Sequence, residues 1–108
     1  MQTEKVLLTV SVLAVSALVV QRLVAFDGAM CAAGERAMGV PRQAGAVGDW
    51  VGVATHGELL VEAGAAVAVG DQVEADATAC AITLAAGVPF GVARDAALAA
   101  GDIIRVLV

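Results

Sequence analysis

The chain has 108 residues, the size of one domain, and is 60% hydrophobic with only 3% aromatics and no Tyr. Its net charge is −5 and its six Lys and Arg are scattered, so the clustered positive charge that displaces counterions from DNA or RNA is missing and direct nucleic-acid binding is excluded. A core built mainly of Ala and Val buries little area per side chain, at about 25 cal/mol per Å². That predicts modest stability for the lone chain and support from neighbours.

The opening segment, MQTEKVLLTVSVLAVSALVVQRLVAF, has the look of a signal peptide or membrane anchor, with Val15-Ser16-Ala17 passing as a cleavage site. Its apolar run, Val6 to Val20, is 15 residues and is interrupted by Thr9, Ser11 and Ser16. A spanning helix needs about 20. The positive charge ahead of the run is Lys5, offset by Glu4. From Lys5 to Val12 the residues alternate, with Val6, Leu8, Val10 and Val12 on one face. Period two predicts a strand or arm rather than a helix. Residues 1–17 are therefore read as an N-terminal arm, and 18–108 as the body. A second extended stretch, Leu18 to Phe26, stops at the turn signal Asp27-Gly28.

The body reads as short Val-rich runs split by Gly: Gly34–Val40, Trp50–Thr55, Glu58–Glu62, Gln72–Ala75, Pro89–Ala93 and Ile103–Val108. This spacing, without long helical periodicity, predicts an all-β single domain, a sandwich or small barrel. Asp95–Ala100 is the one helix-friendly patch. In the closing strand, Ile104, Val106 and Val108 are expected to face the core and Ile103 and Leu107 a second apolar surface. "MGVPRQAGAVGDWVGV" (38–53) lines up with "FGVARDAALAAGDIIRVL" (90–107), matching Arg42 to Arg94 and Asp49 to Asp102.

A Gly-Asp pair recurs at Gly48-Asp49, Gly70-Asp71 and Gly101-Asp102, each time just before a predicted strand. Gly accepts positive φ and Asp bonds nearby backbone amides, so each pair reads as a turn that launches the strand. Calcium binding needs several converging oxygens. Asp71, Glu74 and Asp76 alternate with Val73 and Ala75, which predicts carboxylates along one exposed face. A phosphate loop would need Lys and a following helix, and neither is present.

No catalytic, metal or cofactor constellation stands out. His56 is the only imidazole and is read as a polar turn residue. Glu58 and Glu62, four apart on a strand, would lie about 13 Å from each other, too far to share one substrate bond. Cys31 and Cys80 fit no metal or redox spacing; they read first as small buried hydrophobes and second as a disulfide. Trp50, the sole Trp, is a core anchor or an interface hot spot.

Three stretches together, "VQRLVAFDGAMCAAGERAMGV", "GDWVGVATHGELLVEAGAAVAVGDQVEAD" and "FGVARDAALAAGDIIRVLV", resemble the small capsid cement, or head decoration, proteins of tailed bacteriophages. The likeness covers residues 18 to 108. It implies a β-sandwich or jelly-roll-like fold on the outer surface of the virion capsid, clamping neighbouring major capsid protein subunits, with no catalytic residues. An acidic chain suits the outside of a DNA-filled shell. The row Val6, Leu8, Val10 and Val12, with Trp50, is the expected interface. The arm is expected to be exchanged within a homo-oligomer, a dimer ahead of a trimer. The rival reading is a periplasmic or membrane-tethered β domain anchored by residues 6–20.

Overall fold

The computed structural model describes residues 4–108, so the first three residues of the polar opening MQTEK lie outside it. Among the described residues there is no helix, and the chain is all-β in one small domain. Eight strands follow in order: β1 Lys5–Leu13, β2 Val24–Ala25, β3 Ala37–Pro41, β4 Trp50–Glu62, β5 Gln72–Ala75, β6 Ala81–Thr83, β7 Gly91–Ala93 and β8 Ile103–Leu107. All belong to one antiparallel sheet in the order β2-β3-β4-β8-β7-β5-β6, with β1 on β4.

β4 organises the rest. Its first part opposes β1 and its last part opposes β8, so that Glu58 lies between Lys5 and Leu107 and Ala54 between Thr9 and Val40. Trp50–Thr55 and Glu58–Glu62, expected as two strands, are thus one. Thr55-His56-Gly57 stays extended because β1 flanks it and Val108 exchanges two backbone hydrogen bonds with Gly57, at 2.9 and 3.3 Å. His56 is an exposed strand residue rather than a turn residue.

The segment expected to be an arm is β1 plus a loop. No helix among the described residues is long and apolar enough to cross a membrane. β1 pairs with β4 of its own chain, so within this molecule the edge of the expected arm is covered. Two irregularities in register flank Leu8. Val6, Val10 and Val12 are half-buried, whereas Leu8 leaves their row and is exposed. Asp95–Ala100 is no helix either. It is a loop bridged to the chain at Val67↔Ala97.

The sheet is built twice from one plan. Leu13 opposes Trp50 as Glu62 opposes Ile103, and Val12 opposes Val51 as Val61 opposes Ile104. Val24 opposes Gly39 as Val73 opposes Gly91, and Val40 opposes Ala54 as Val92 opposes Leu107. Off the ladders, Arg42 N–H bonds the Gly52 carbonyl and Arg94 N–H that of Arg105, both at 2.8 Å. Cys31 N–H bonds the Leu23 carbonyl as Leu84 N–H bonds that of Gln72. The first half is β1, β2, β3 and the start of β4; the second is the end of β4, β5, β6, β7 and β8. β4 closes one and opens the other.

The Gly-Asp turns tie each half together. Ala14 donates to the Asp49 carbonyl and accepts from Gly48 N–H, while Leu18 and Gly45 exchange a pair of bonds. Ala93 does the same with Asp71 and Gly70, and Ala63 with Asp102 and Gly101, and these two share the Val67–Ala97 exchange. The fourth place is degenerate. Gln21, at φ 63°, stands where the other turns have Gly, and Arg22 where they have Asp. Opposite it is Pro41, which has no N–H to give.

The core lies on the inner face. Opposed pairs Val61–Ile104 and Leu59–Val106 are fully buried, with Val73, Val53 and many alanines around them. Val108 is half-buried and packs on this cluster. Cys31 and Cys80 are buried free thiols. Burial chiefly, with Glu35 and Asp27 nearby, pushes the Cys31 thiol up to about 12; burial also raises Cys80.

Candidate functional site

In an antiparallel pair, directly opposed residues share a face. On the outer face the second half presents Glu62 with Ile103, Leu60 with Arg105, and Glu58 with Leu107. The first half presents, at matching places, Leu13 with Trp50 and Ser11 with Gly52; Thr9 stands at the place of Glu58, opposite Ala54, which is buried in the core cluster.

The second-half face is a charge network. Glu58, only 8% exposed, takes Arg94 at 2.6 Å and Arg105 at 3.4 Å. Arg105 also holds Asp95 at 2.8 Å through Nε and Nη2. Hydrogen bonds to Asp95, with Glu58 assisting, raise the Arg105 guanidinium further above its already high range. Glu62 pairs with Arg22 at 3.1 Å, and Arg22 also reaches the Thr78 carbonyl. The expected second apolar surface at Ile103 and Leu107 is therefore corrected: both sit among paired charges, Leu107 exposed and Ile103 half-buried.

The first-half face has lost every one of those carboxylates. Leu13 replaces Glu62, Thr9 replaces Glu58, and Gly52 replaces Arg105. A Cβ at Gly52 would lie 3.4 Å from Thr9 Cγ2 and 3.7 Å from Arg42 Cγ, so Gly52 and Thr9 make a small floor flanked by the aliphatic stem of Arg42. Arg42, the counterpart of Arg94, turns to Glu4 at 3.2 Å. Trp50 is 68% exposed beside exposed Leu13, and the loops that continue their strands add exposed Val15 and Val47. Exposed large apolar side chains on neighbouring segments at one end of a sheet make a candidate interaction surface.

The sequence singled out Trp50 but not its companions. Their signal lay in the repeat, where apolar Leu13 and Val47 stand at places the second half fills with Glu62 and Ala100. Of the other expected interface residues, Val6 packs against the core cluster, Val10 and Val12 are half-buried in β1, and Leu8 is in solvent. They do not join the Trp50 cluster in one row, because the shifts at Leu8 break the alternation.

Each Gly-Asp turn has positive φ at its glycine: 91° at Gly48, 88° at Gly70 and 95° at Gly101. The Asp49 carboxylate accepts from Ala46 N–H at 3.0 Å, Asp71 from Ala68 N–H at 3.2 Å, and Asp102 from Leu98 N–H at 2.9 Å. Glu74 does not share an exposed face with Asp71 and Asp76, as the alternation suggested. It is 4% exposed, in β5 between buried Val73 and Ala75. Among the described residues no three His, Cys, Asp or Glu lie together as a metal site. His56 Nδ1 lies 3.0 Å from Thr55 Oγ1.

Compared with known proteins, residues 1–108 match the family model described as phage cement protein. No curated protein matches by sequence. Among solved structures, the head fiber gp8.5 N base of bacteriophage phi29 is similar in fold, with a TM-score of 0.77 over 94% of this chain and 92% of that chain at 20% identity.

Proposed function

Since the chain belongs to the phage cement proteins, structural proteins on the outer surface of the capsid, we propose that it clamps neighbouring subunits of the major capsid protein and docks through the outer face of its first half. The carrying observation is the contrast between two faces on one backbone plan. The fold is satisfied with paired charges there, as the second half demonstrates; the first half carries Leu13, Val15, Val47 and Trp50 in water instead. Such exposure is unfavourable for a free protein and favourable once covered, at about 25 cal/mol per Å². Self-association of decorating copies belongs to the same reading, a dimer ahead of a trimer.

The test uses heads stripped of this protein. A Trp50→Ala, Leu13→Ala variant with native circular dichroism should lose at least tenfold in affinity for those heads, since a central Trp carries a disproportionate share of interface energy. Heads left bare should fall apart at lower temperature than decorated ones. Native occupancy by the double variant would remove the face from the reading, and equal melting of bare and decorated heads would remove the clamp.

A further inference from the structure

Glu74 is a buried carboxylate with half its bonding capacity unused. Its Oε1 accepts the Ala85 N–H at 3.0 Å, while Oε2 is buried and has no hydrogen-bond partner. The ion pairs among the described residues use Glu4, Glu58, Glu62 and Asp95, and none reaches Glu74. A carboxylate out of water without a counter-charge is costly. The fold does not demand one here, because the same place in the first half, next to Val24 as Glu74 is next to Val73, is Ala25.

The carboxylate lies where two equivalent loops meet. Ala32-Ala33-Gly34 in the first half corresponds to Ala85-Ala86-Gly87 in the second. Gly34 donates to the Ala75 carbonyl at 2.9 Å and accepts from Val88 N–H at 3.2 Å, so the loops are fixed to each other and to β5. A Cβ on Gly87 would overlap Glu74 Oε2 and stand 2.5 Å from Gly34 Cα. Over this junction is an open cleft of about 410 Å³, lined by Ala33, Gly34, Glu74, Ala85, Ala86 and Gly87. Its one charged group is the carboxylate, and its walls are methyl groups and backbone.

We propose that this cleft receives a primary ammonium on an aliphatic stem, namely a lysine side chain of the capsid shell. Only Oε2 is unpartnered, and because it is buried beneath Gly34 and Gly87 these loops must part slightly to admit a ligand, which suits a compact point charge; a guanidinium recognises a carboxylate best with two parallel bonds, and Oε1 is already committed. Alanine walls suit the methylene stem. A hard divalent cation would want six or more oxygens, and the cleft offers no second carboxylate. The chain has one lysine of its own, Lys5, on exposed β1, so a second copy could offer no other lysine. The ammonium site stands without the clamp reading; its shell source rests on that reading.

Titration of the folded protein with n-butylammonium chloride, followed by amide NMR at constant ionic strength, should give saturable shifts at Gly34, Ala85 and Gly87. n-Butanol, the neutral isostere, should give none, a comparison that needs no variant. Glu74→Gln, whose amide oxygen can still accept from Ala85, should abolish the butylammonium shifts. Equal shifts from butanol, saturation by calcium instead of the ammonium, or no shift at all would overturn the site. On stripped heads, E74Q should bind at least tenfold more weakly than the native chain with Trp50 untouched. If E74Q binds heads normally, or if E74Q and Lys5→Gln both weaken only self-association, the shell is not the source.

Discussion

Leu13 and Glu62 occupy the same place in the two halves of the sheet, as do Gly52 and Arg105, and Trp50 and Ile103. Inside, the halves agree in kind: Val51 is buried with Ala14, Leu18 and Val24, and its counterpart Ile104 is buried with Val61 in the larger cluster. Outside, the second half holds a network of ion pairs around Glu58 and Glu62, whereas the first half has Thr9 and Leu13 at those places and exposes Trp50 beside Leu13. Conformity within and divergence without separates what the fold needs from what a partner needs. Inner positions are constrained by close packing. An outer position can carry a charge or a leucine without changing the ladder beneath it, so the choice there reports on surroundings.

The largest effects should fall where the halves match. A Cβ on Gly39 would run into the Ala54 carbonyl oxygen, and one on Gly91 would come within 2.6 Å of the Leu107 carbonyl oxygen. These are the same contact in two copies, against backbone that cannot swing away. Gly39→Ala and Gly91→Ala should each destabilise by about 3 kcal/mol, the upper end for overpacking, read by urea denaturation. A tolerated alanine at one site only would break the equivalence of the halves.

Next come the places where the halves differ. Glu58→Ala leaves Arg94 and Arg105 without their shared carboxylate. Both arginines can turn toward water, so the cost is well below that of a fully buried pair, about 1–2 kcal/mol. Thr9→Ala at the matching place should fall within about 0.5 kcal/mol, as surface changes do. Equal costs would mean that the neutral face is as structural as the charged one.

Besides Glu74 against Ala25, the halves differ at a second chemical point. Cys31 stands where the second half has Leu84. Burial pushes the folded thiol up to about 12 from its ordinary 9.0, so the folded state holds its proton more tightly than the unfolded state does. The stability this contributes is complete below pH 9 and is lost as pH rises from 9 toward 12, with a slope approaching about 1.4 kcal/mol per pH unit. Cys31→Val should flatten that part of the stability profile, while Cys80 retains a smaller alkaline response of its own, also from burial. An unchanged alkaline slope in Cys31→Val would show that the first half does not hold a thiol in this way.

How far the sequence reveals the molecule follows from the range of each interaction. Gln72–Ala75 and the start of β8 were legible because alternation and a preceding Gly-Asp are local signals. The repeat of 38–53 in 90–107 was visible in residues, but its extension to β1 and the end of β4 was not, since the matching there is of partners rather than letters. Thr55-His56-Gly57 reads as a turn until β1 and Val108 are laid against it. β6 was missed, being three residues bounded by small and turn-prone neighbours. Trp50 could be singled out by type alone. Glu58 meets Arg94 across 36 positions, and Glu74 is buried by loops from both halves, so neither was legible.

The smallest effect tests the degenerate turn. Three of the four equivalent turns place Gly at positive φ; the fourth places Gln21 there, at φ 63°. For a residue with a Cβ, the left-handed region costs about 1–2 kcal/mol. Gln21→Gly removes that strain but loosens the unfolded chain, which returns part of the gain. The backbone carbonyl of residue 21, which accepts from Glu62 N–H at 2.7 Å, is kept by the substitution. The net expectation is a stabilisation of about 0.5 kcal/mol, a rise of roughly 2 °C in melting temperature for a domain of this size. Gly48→Gln, made in a turn that already has glycine, should move the opposite way. If both substitutions lower the melting temperature, the Gln21 side chain holds its turn through contacts of its own, and the fourth turn is a distinct structure rather than a worn copy of the other three.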